Sequence, residues 1–327
     1  MFLESWQLGT DRGARVKGKN STQRMRENIP ALITLAAFFG QRWILRKRPP
    51  LFASFKLTYQ CNLRCLACPF HHRPEDGTAK MTWNLAIQKL RELKQMGTRM
   101  VVFEGGEPLL WQDGNHNIKD LILYAKQHFL RVAVTTNGTF PLDVPSDVLW
   151  VSLDGPKETQ DFLRSESFDR IWRNLEKTNH PRLRIHVTLN RHNWRELDKL
   201  LGRLQEVPSV RGVTIQYFYP YRQGEAALEL SPEDRRMATW QILKLKKDHP
   251  IFNSAGCLKA MMEQKWACHD DLLVNVDPDG TVTRGCYVKS RGTIDCRACG
   301  FTPVAEASRA IDGYPGSMLA GWLAYFG

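Results

Sequence analysis

The 327-residue chain holds no apolar run long enough to span a bilayer, for which a helix needs roughly 20 such residues. Its longest candidate, residues 29–39, falls short. The start carries no leader-like apolar segment either. Residues 1–28 are polar and basic, so we expect no signal peptide and little regular structure there. Acidic side chains are scarce: 34 Asp and Glu stand against 46 Lys and Arg, a formal net charge of +12. Such an excess favours anionic partners. Cysteine is absent from residues 69–256, and the eight cysteines form two groups on either side of that gap. Secreted disulfide frameworks are much shorter and spread their cysteines differently. A reducing cytoplasm with metal-bound thiolates fits better. The chain has no long low-complexity segment and no repeat beyond alternating strand–helix units.

What is present begins with charge. Arg42, Arg46, Lys47 and Arg48 follow the apolar run. Apolar residues with a basic end suit a helix lying on an anionic membrane surface. They equally suit an N-terminal helix packed on the core with a solvated basic end. On the first reading the protein is cytoplasmic and peripheral at the inner face of the membrane. No nucleic-acid partner is expected, because net charge alone locates no binding face.

From residue 49 the pattern alternates. Strands are predicted at residues 52–59, 100–103, 131–135, 148–153, 183–189 and 213–219, and helices at 82–96, 118–128, 168–177, 193–204 and 232–247. Gly97 stops the first of these helices, Asn193 with Glu196 is read as a cap, and Ser231-Pro232 opens the last. The link from third to fourth strand is short, and no helix is assigned to it. Alternating strands and helices imply a parallel sheet, whose strand carboxyl ends carry the active site. Cys61, Glu107, Asn137, Asp154 and Asn190 all fall just after such ends. The reading is therefore an N-terminal segment 1–48, an α/β partial barrel 49–250 and a cysteine-rich region 251–327. In the last, Asp277-Pro278-Asp279-Gly280 between two apolar runs predicts a hairpin, and residues 318–326 form an apolar tail that docks or makes a further contact.

The chemistry concentrates in Cys61, Cys65 and Cys68, spaced C-x3-C-x2-C after the first strand. Thiolate is the usual protein ligand of iron–sulfur clusters. Three close thiolates leave one iron of a cubane open, unless a fourth ligand comes from elsewhere. After the second strand stands Gly105-Gly106-Glu107-Pro108. Glycines there let backbone approach a ligand closely.

These two motifs, in this order and each after a strand, resemble the radical S-adenosylmethionine (radical SAM) superfamily over residues 50–225. The resemblance implies a partial (β/α)6 TIM barrel. It implies a [4Fe-4S] cluster on Cys61, Cys65 and Cys68, with S-adenosylmethionine on the open iron. It implies reductive cleavage to methionine and a 5′-deoxyadenosyl radical that takes hydrogen from a substrate, with flavodoxin or ferredoxin as reductant. Gly105, Gly106, Glu107, Asn137, Ser152, Asp154 and Asn190 become candidate S-adenosylmethionine contacts. Thr188 and the run Tyr217-Phe218-Tyr219 are candidates to flank the adenosine. One position departs from the family: Ala67 stands where many members carry an aromatic residue, and Phe70 is a substitute for it. His71 and His72 are read as loop residues.

The second cysteine group, Cys268, Cys286, Cys296 and Cys299, offers ligands for a second cluster or a zinc ion. With its hairpin it resembles the SPASM/Twitch extension of the same superfamily, short of a full SPASM set. One auxiliary [4Fe-4S] cluster is the expectation. Cys257 is left over as ligand, core residue or substrate-facing thiol. Three functions follow: a radical enzyme for a lipid or other membrane-proximal substrate, a radical peptide or protein maturase, and a non-enzymatic iron–sulfur or zinc protein.

Overall fold

The computed structural model describes residues 21–68, 70, 80–220, 225–289 and 295–327. His71 and His72 lie outside the described residues. Six strands follow the predicted rhythm: β1 Phe52–Lys56, β2 Met100–Glu104, β3 Arg131–Thr136, β4 Val148–Ser152, β5 Leu183–Leu189 and β6 Val210–Tyr217. The C-terminal hairpin, β7 Leu273–Val276 and β8 Val282–Arg284, is not a separate ribbon. β7 pairs in parallel with β1, and β8 runs antiparallel at the edge. The result is one open eight-stranded sheet in the order β8-β7-β1-β2-β3-β4-β5-β6.

Strand alternation explains the layers. Phe55, Phe103, Val134, Val151 and Val187 point outward into the main core. They meet the apolar stripes of α2 Trp83–Gln95, α3 Ile118–Lys126, α5 Phe168–Lys177 and α6 Leu197–Leu204. Period-2 strands against period-3.6 helices are what the sequence pattern demands. The opposite, inner face is polar toward the strand carboxyl ends, with Ser54, Lys56, Glu104, Ser152, His186, Thr214 and Gln216.

The floor of the barrel, at the strand amino ends, is closed by two helices. α1 Ser21–Trp43 crosses beneath it: Phe38 is fully buried, Asn28 Oδ1 accepts from Arg131 at 3.3 Å, and Arg42 pairs with Asp271 at 2.9 Å. α10 Pro315–Phe326 inserts Tyr325 between Phe52 and Trp150, and Arg184 donates to the Gly327 carbonyl at 2.8 Å. The apolar tail is thus a docked helix.

Several expectations need correction. Residues 21–28 are helical, not irregular. Asn193 makes no cap; its amide donates to the Asp154 and Thr188 carbonyls at 2.8 and 2.9 Å, tying two strand ends together. A helix missed in the sequence, α4 Lys157–Leu163, follows β4. The region after residue 250 is more helical than its turns suggest, with α8 Ala255–Met262 and α9 Thr302–Ile311 beside α10; α7 Pro232–Leu245 precedes them. The link between β3 and β4 carries no helix.

Candidate active site

The cysteine loop leaves β1 beside the loop that ends β2. The two backbones touch: Gly106 N–H donates to the Thr58 carbonyl and Glu107 N–H to the Gln60 carbonyl, both at 2.8 Å. A Cβ on Gly106 would stand 2.1 Å from the Gln60 oxygen, and one on Gly105 2.6 Å from the Thr58 oxygen. The glycines are therefore required by contact between loops, and the Gly106 N–H is committed to Thr58.

Glu107 is 0% exposed, which removes the reading of a solvent-rim carboxylate. Its Oε1 accepts from Leu109 N–H at 3.0 Å and from the Thr136 hydroxyl at 2.8 Å, and its Oε2 from Asn137 N–H at 2.7 Å. Burial pushes its carboxyl up to about 7 against these hydrogen bonds. Glu107 joins the end of β2 to the end of β3. Asn137 extends the link to the cysteines, donating to Asn62 Oδ1 at 2.9 Å and toward Cys61 Sγ at 3.6 Å. Thr139 completes this cluster, accepting from Asn62 at 2.8 Å and donating to Asn137 at 2.7 Å.

The helix missed in the sequence braces the other side. Leu66 N–H donates to the Leu163 carbonyl at 3.0 Å and Arg64 N–H to the Ser165 hydroxyl at 2.9 Å. Arg164 pairs with Asp154 at 2.6 Å. Asp154 also accepts from Thr188 N–H at 2.7 Å, so its carboxylate ties β4 to β5. Burial pushes the Cys65 thiol up to about 12, with the Arg164 charge pulling the other way. Ser152 sits in register beside His186 on the inner face. His186 Nδ1 lies 3.1 Å from the Thr214 hydroxyl, and burial holds the imidazole down at about 4. Asn190 directly follows β5, where its N–H donates to Asn193 Oδ1 at 2.7 Å and its Oδ1 accepts from His192 N–H at 2.9 Å.

The three aromatics at the end of β6 go separate ways. Tyr217 is buried, with its hydroxyl 2.7 Å from Thr239. Phe218 forms a small apolar cluster with Leu163 and Leu228, and Ala67 packs against that cluster. Tyr219 lines the second cysteine pocket. Phe70 stacks on Tyr59 with centroids 5.2 Å apart.

Cys268, Cys286, Cys296 and Cys299 line one pocket together with apolar walls such as Trp266 and Phe301 and the charged Lys289 and Asp295. Burial raises the Cys299 thiol, and its cysteine neighbours add to the rise. Cys257 is not among them. It is fully buried in the core, its thiol raised by burial and hydrogen-bonded to Glu306.

Both donor sets suit iron–sulfur clusters. In the first loop, amide N–H groups of Leu63 and Phe70 point at Cys61 and Cys68 sulfurs at 3.4 Å each, as suits thiolate ligands. Thiols as desolvated as Cys65 become thiolates when a metal replaces the proton. Among the described residues no three His, Cys, Asp or Glu side chains converge as around a single metal ion.

Residues 55–204 match the family described as the Radical SAM superfamily. The chain is 26% identical over 284 residues to an AdoMet-dependent heme synthase of Methanosarcina barkeri, covering 78% of each chain. It is 29% identical over 163 residues to the mycofactocin maturase MftC of Mycobacterium tuberculosis, covering 46% of this chain and 40% of that one. In fold it is similar to Streptococcus suis SuiB bound to its precursor peptide SuiA, with a TM-score of 0.61 at 14% identity over 92% of this chain and 73% of SuiB. Native anSMEcpe with AdoMet and a peptide gives 0.56 at 18% identity, covering 83% and 82%. With its motifs at strand ends of an open barrel, the chain carries a radical S-adenosylmethionine superfamily domain over residues 55–204.

Proposed function

We propose that the inner face of the barrel receives a polar substrate from the carboxyl-end rim and that hydrogen abstraction happens there. When bound, a [4Fe-4S] cluster on Cys61, Cys65 and Cys68 with S-adenosylmethionine supplies a 5′-deoxyadenosyl radical. The chain's own residues hold and enclose that group. Asn137 and the amides of Leu63 and Phe70 orient the thiolates. Glu107 fixes the β2 and β3 ends against each other, and Asp154 with Arg164 fixes β4, β5 and the cysteine loop. Gly105, Gly106, Ser152, Thr188 and Asn190 are rim positions we propose to meet S-adenosylmethionine. The observation that carries the reading is this rim, where the β2 and β3 ends are hydrogen-bonded to each other and to the cysteine loop, and the β4 and β5 ends to each other. Anaerobic reconstitution, dithionite reduction and assay of 5′-deoxyadenosine test it. Cys65→Ala is expected to remove about four irons, one cubane, and nearly all 5′-deoxyadenosine. Wild-type levels from that variant would sink the assignment.

Named relatives act on different molecules, so substrate class rests on the pocket. His186, Thr214 and Gln216 present hydrogen-bonding groups beside Ser152. Such a wall suits a peptide or another polar compound, and a maturase-type substrate is favoured over a lipid. Flavodoxin or ferredoxin remains the reductant we propose, and the second cysteine pocket the site of an auxiliary [4Fe-4S] cluster.

The membrane reading has its own observation. On α1, Ile33 is 65% exposed, and just beyond it Ile44 is 79% exposed beside exposed Arg46, Lys47 and Arg48. α10 adds exposed Leu319 on the same floor. This surface suits an anionic bilayer, with each basic residue contributing about 1 kcal/mol. It lies at the opposite strand ends from the cysteine rim, roughly 17 Å away for a five-residue strand. Docking there turns the rim away from the lipid, so it acts as an anchor and not as a substrate route. No helix among the described residues is long and apolar enough to cross a membrane. Flotation with phosphatidylserine vesicles should capture the wild type at low salt and release it at high salt, while Ile33→Ser/Ile44→Ser should stay in solution. Equal flotation of both proteins would remove the anchor.

A further inference from the structure

We infer that the second cysteine centre is a staple across the open seam of the barrel. The inference rests on the reading that these four cysteines hold a cluster. The sheet ends in β8 on one side and in β6 on the other, where Val213 makes one bridge to Ile251, and no strand pairing joins β8 to β6 among the described residues. The gap between the β7–β8 hairpin and β6 is bridged in another way. α9 lies in it, with Thr302 donating to the Ile215 carbonyl of β6 at 2.5 Å and Ser308 accepting from His269 N–H, before β7, at 2.9 Å.

The four cysteines divide between the two sides. Cys268 and Cys286 belong to the hairpin side: Gly285 N–H donates to the Leu273 carbonyl at 2.9 Å, and Cys286 N–H to Asp270 at 3.3 Å. Cys296 and Cys299 belong to the β6 side. Tyr217 N–H donates to the Gly300 carbonyl at 3.1 Å, and Asp295 N–H to the Tyr219 hydroxyl at 2.7 Å. Arg235 of α7 grips the carbonyls of Ala298, at 2.8 Å, and Cys299. Gly300 approaches so closely that a Cβ would stand 2.0 Å from the Tyr217 oxygen. All four thiols nonetheless line one pocket.

A group ligated by all four therefore cross-links the two edges of an otherwise open sheet. A cross-link removes open states that loop-closure entropy would otherwise favour. The effect reaches the first centre through the end of β6, because Ala67 of the first cysteine loop packs on the cluster of Phe218, Leu163 and Leu228, and Phe218 stands one residue before Tyr219 in the second pocket. The second centre thus holds the wall of the first.

Hydrogen exchange on the anaerobically reconstituted full chain tests this across the seam. Cys268→Ser sits on the hairpin side. It should lower iron from about eight to about four per chain, the content of one cubane. It should also speed exchange in peptides covering residues 210–219 and 302–311 by about tenfold or more, with 83–95 and 118–126 unchanged. Cys299→Ser, on the other side, should speed exchange at 273–284. A drop in iron with unchanged cross-seam exchange overturns the staple while leaving the cluster assignment intact. Unchanged iron overturns the assignment and the staple with it. Should the variants exchange fast throughout, wild type chelated after folding is compared with holoprotein. A rise at 210–219 and 302–311 above that at 83–95 supports the staple, and a uniform profile overturns it.

Discussion

Gly106→Ala is expected to abolish the first centre while leaving the second. The added methyl would stand 2.1 Å from the Gln60 oxygen and 2.6 Å from the Tyr59 carbonyl carbon, and both are backbone atoms. No rotamer relieves such a clash, so one of the two loops must move. Movement breaks the Gly106–Thr58 and Glu107–Gln60 hydrogen bonds that hold the cysteine loop against β2. Overpacking of this kind costs about 1–3 kcal/mol, and each lost backbone bond about 1 kcal/mol more. The thiols of Cys61, Cys65 and Cys68 would then leave the arrangement that the amides and Asn137 enforce. Reconstituted variant should hold about four irons instead of about eight and form less than about a hundredth of the wild-type 5′-deoxyadenosine, a loss of roughly 2.7 kcal/mol or more in the barrier. Gly202→Ala is the control of opposite sign. Gly202 lies in α6 with open space around its position, so the change should stabilise by about 0.5–1 kcal/mol. Full iron and cleavage in Gly106→Ala would show that the loop contact is dispensable.

The contrast between these glycines shows what was legible in the sequence. Local periodicity placed α5 at Phe168–Lys177 and β5 at Leu183–Leu189 because each buries one face against the other layer, and that face repeats in the sequence. The strand-end rule brought Cys61, Glu107, Asn137 and Asp154 to one rim for the same reason. Contacts between distant segments were not legible. Arg164 has no periodic signal, and the seven-residue helix before it was hidden behind the turn residues Gly155 and Pro156. The burial of Glu107 depends on Thr136 and Asn137, whose donors are backbone and hydroxyl groups common to any strand end. Asn193 carried a cap signature, yet its amide found carbonyls of two other strand ends. The four later cysteines were visible as a group. That they straddle a seam was not, since β6 lies some 50 residues before the first of them by chain order and beside them only in the fold.

Glu107 leads to the second large effect, a pH dependence of stability in the cluster-free chain. Its carboxyl is raised by burial from 4.5 to about 7 in the folded protein. An acid with a raised folded value binds a proton in the native state that the unfolded chain has released. Its contribution is fully present below about pH 4.5 and is lost as pH rises through about 7. The size is about 3 kcal/mol, from roughly 2.5 pH units at 1.36 kcal/mol each. Glu107→Gln removes the titration but turns an NH2 group toward the N–H and hydroxyl donors that the carboxylate accepts, at a cost of about 1–3 kcal/mol. Urea melts of both apoproteins should therefore show the variant less stable at pH 5. The gap should close by about 2.5 kcal/mol between pH 5 and pH 8, so that the two proteins lie close together at the alkaline end. Parallel stability curves would mean that Glu107 stays ionised in the folded chain. Its three hydrogen bonds would then outweigh burial, and the carboxylate would stand charged beside Cys61, repelling the thiolates that the loop has to gather.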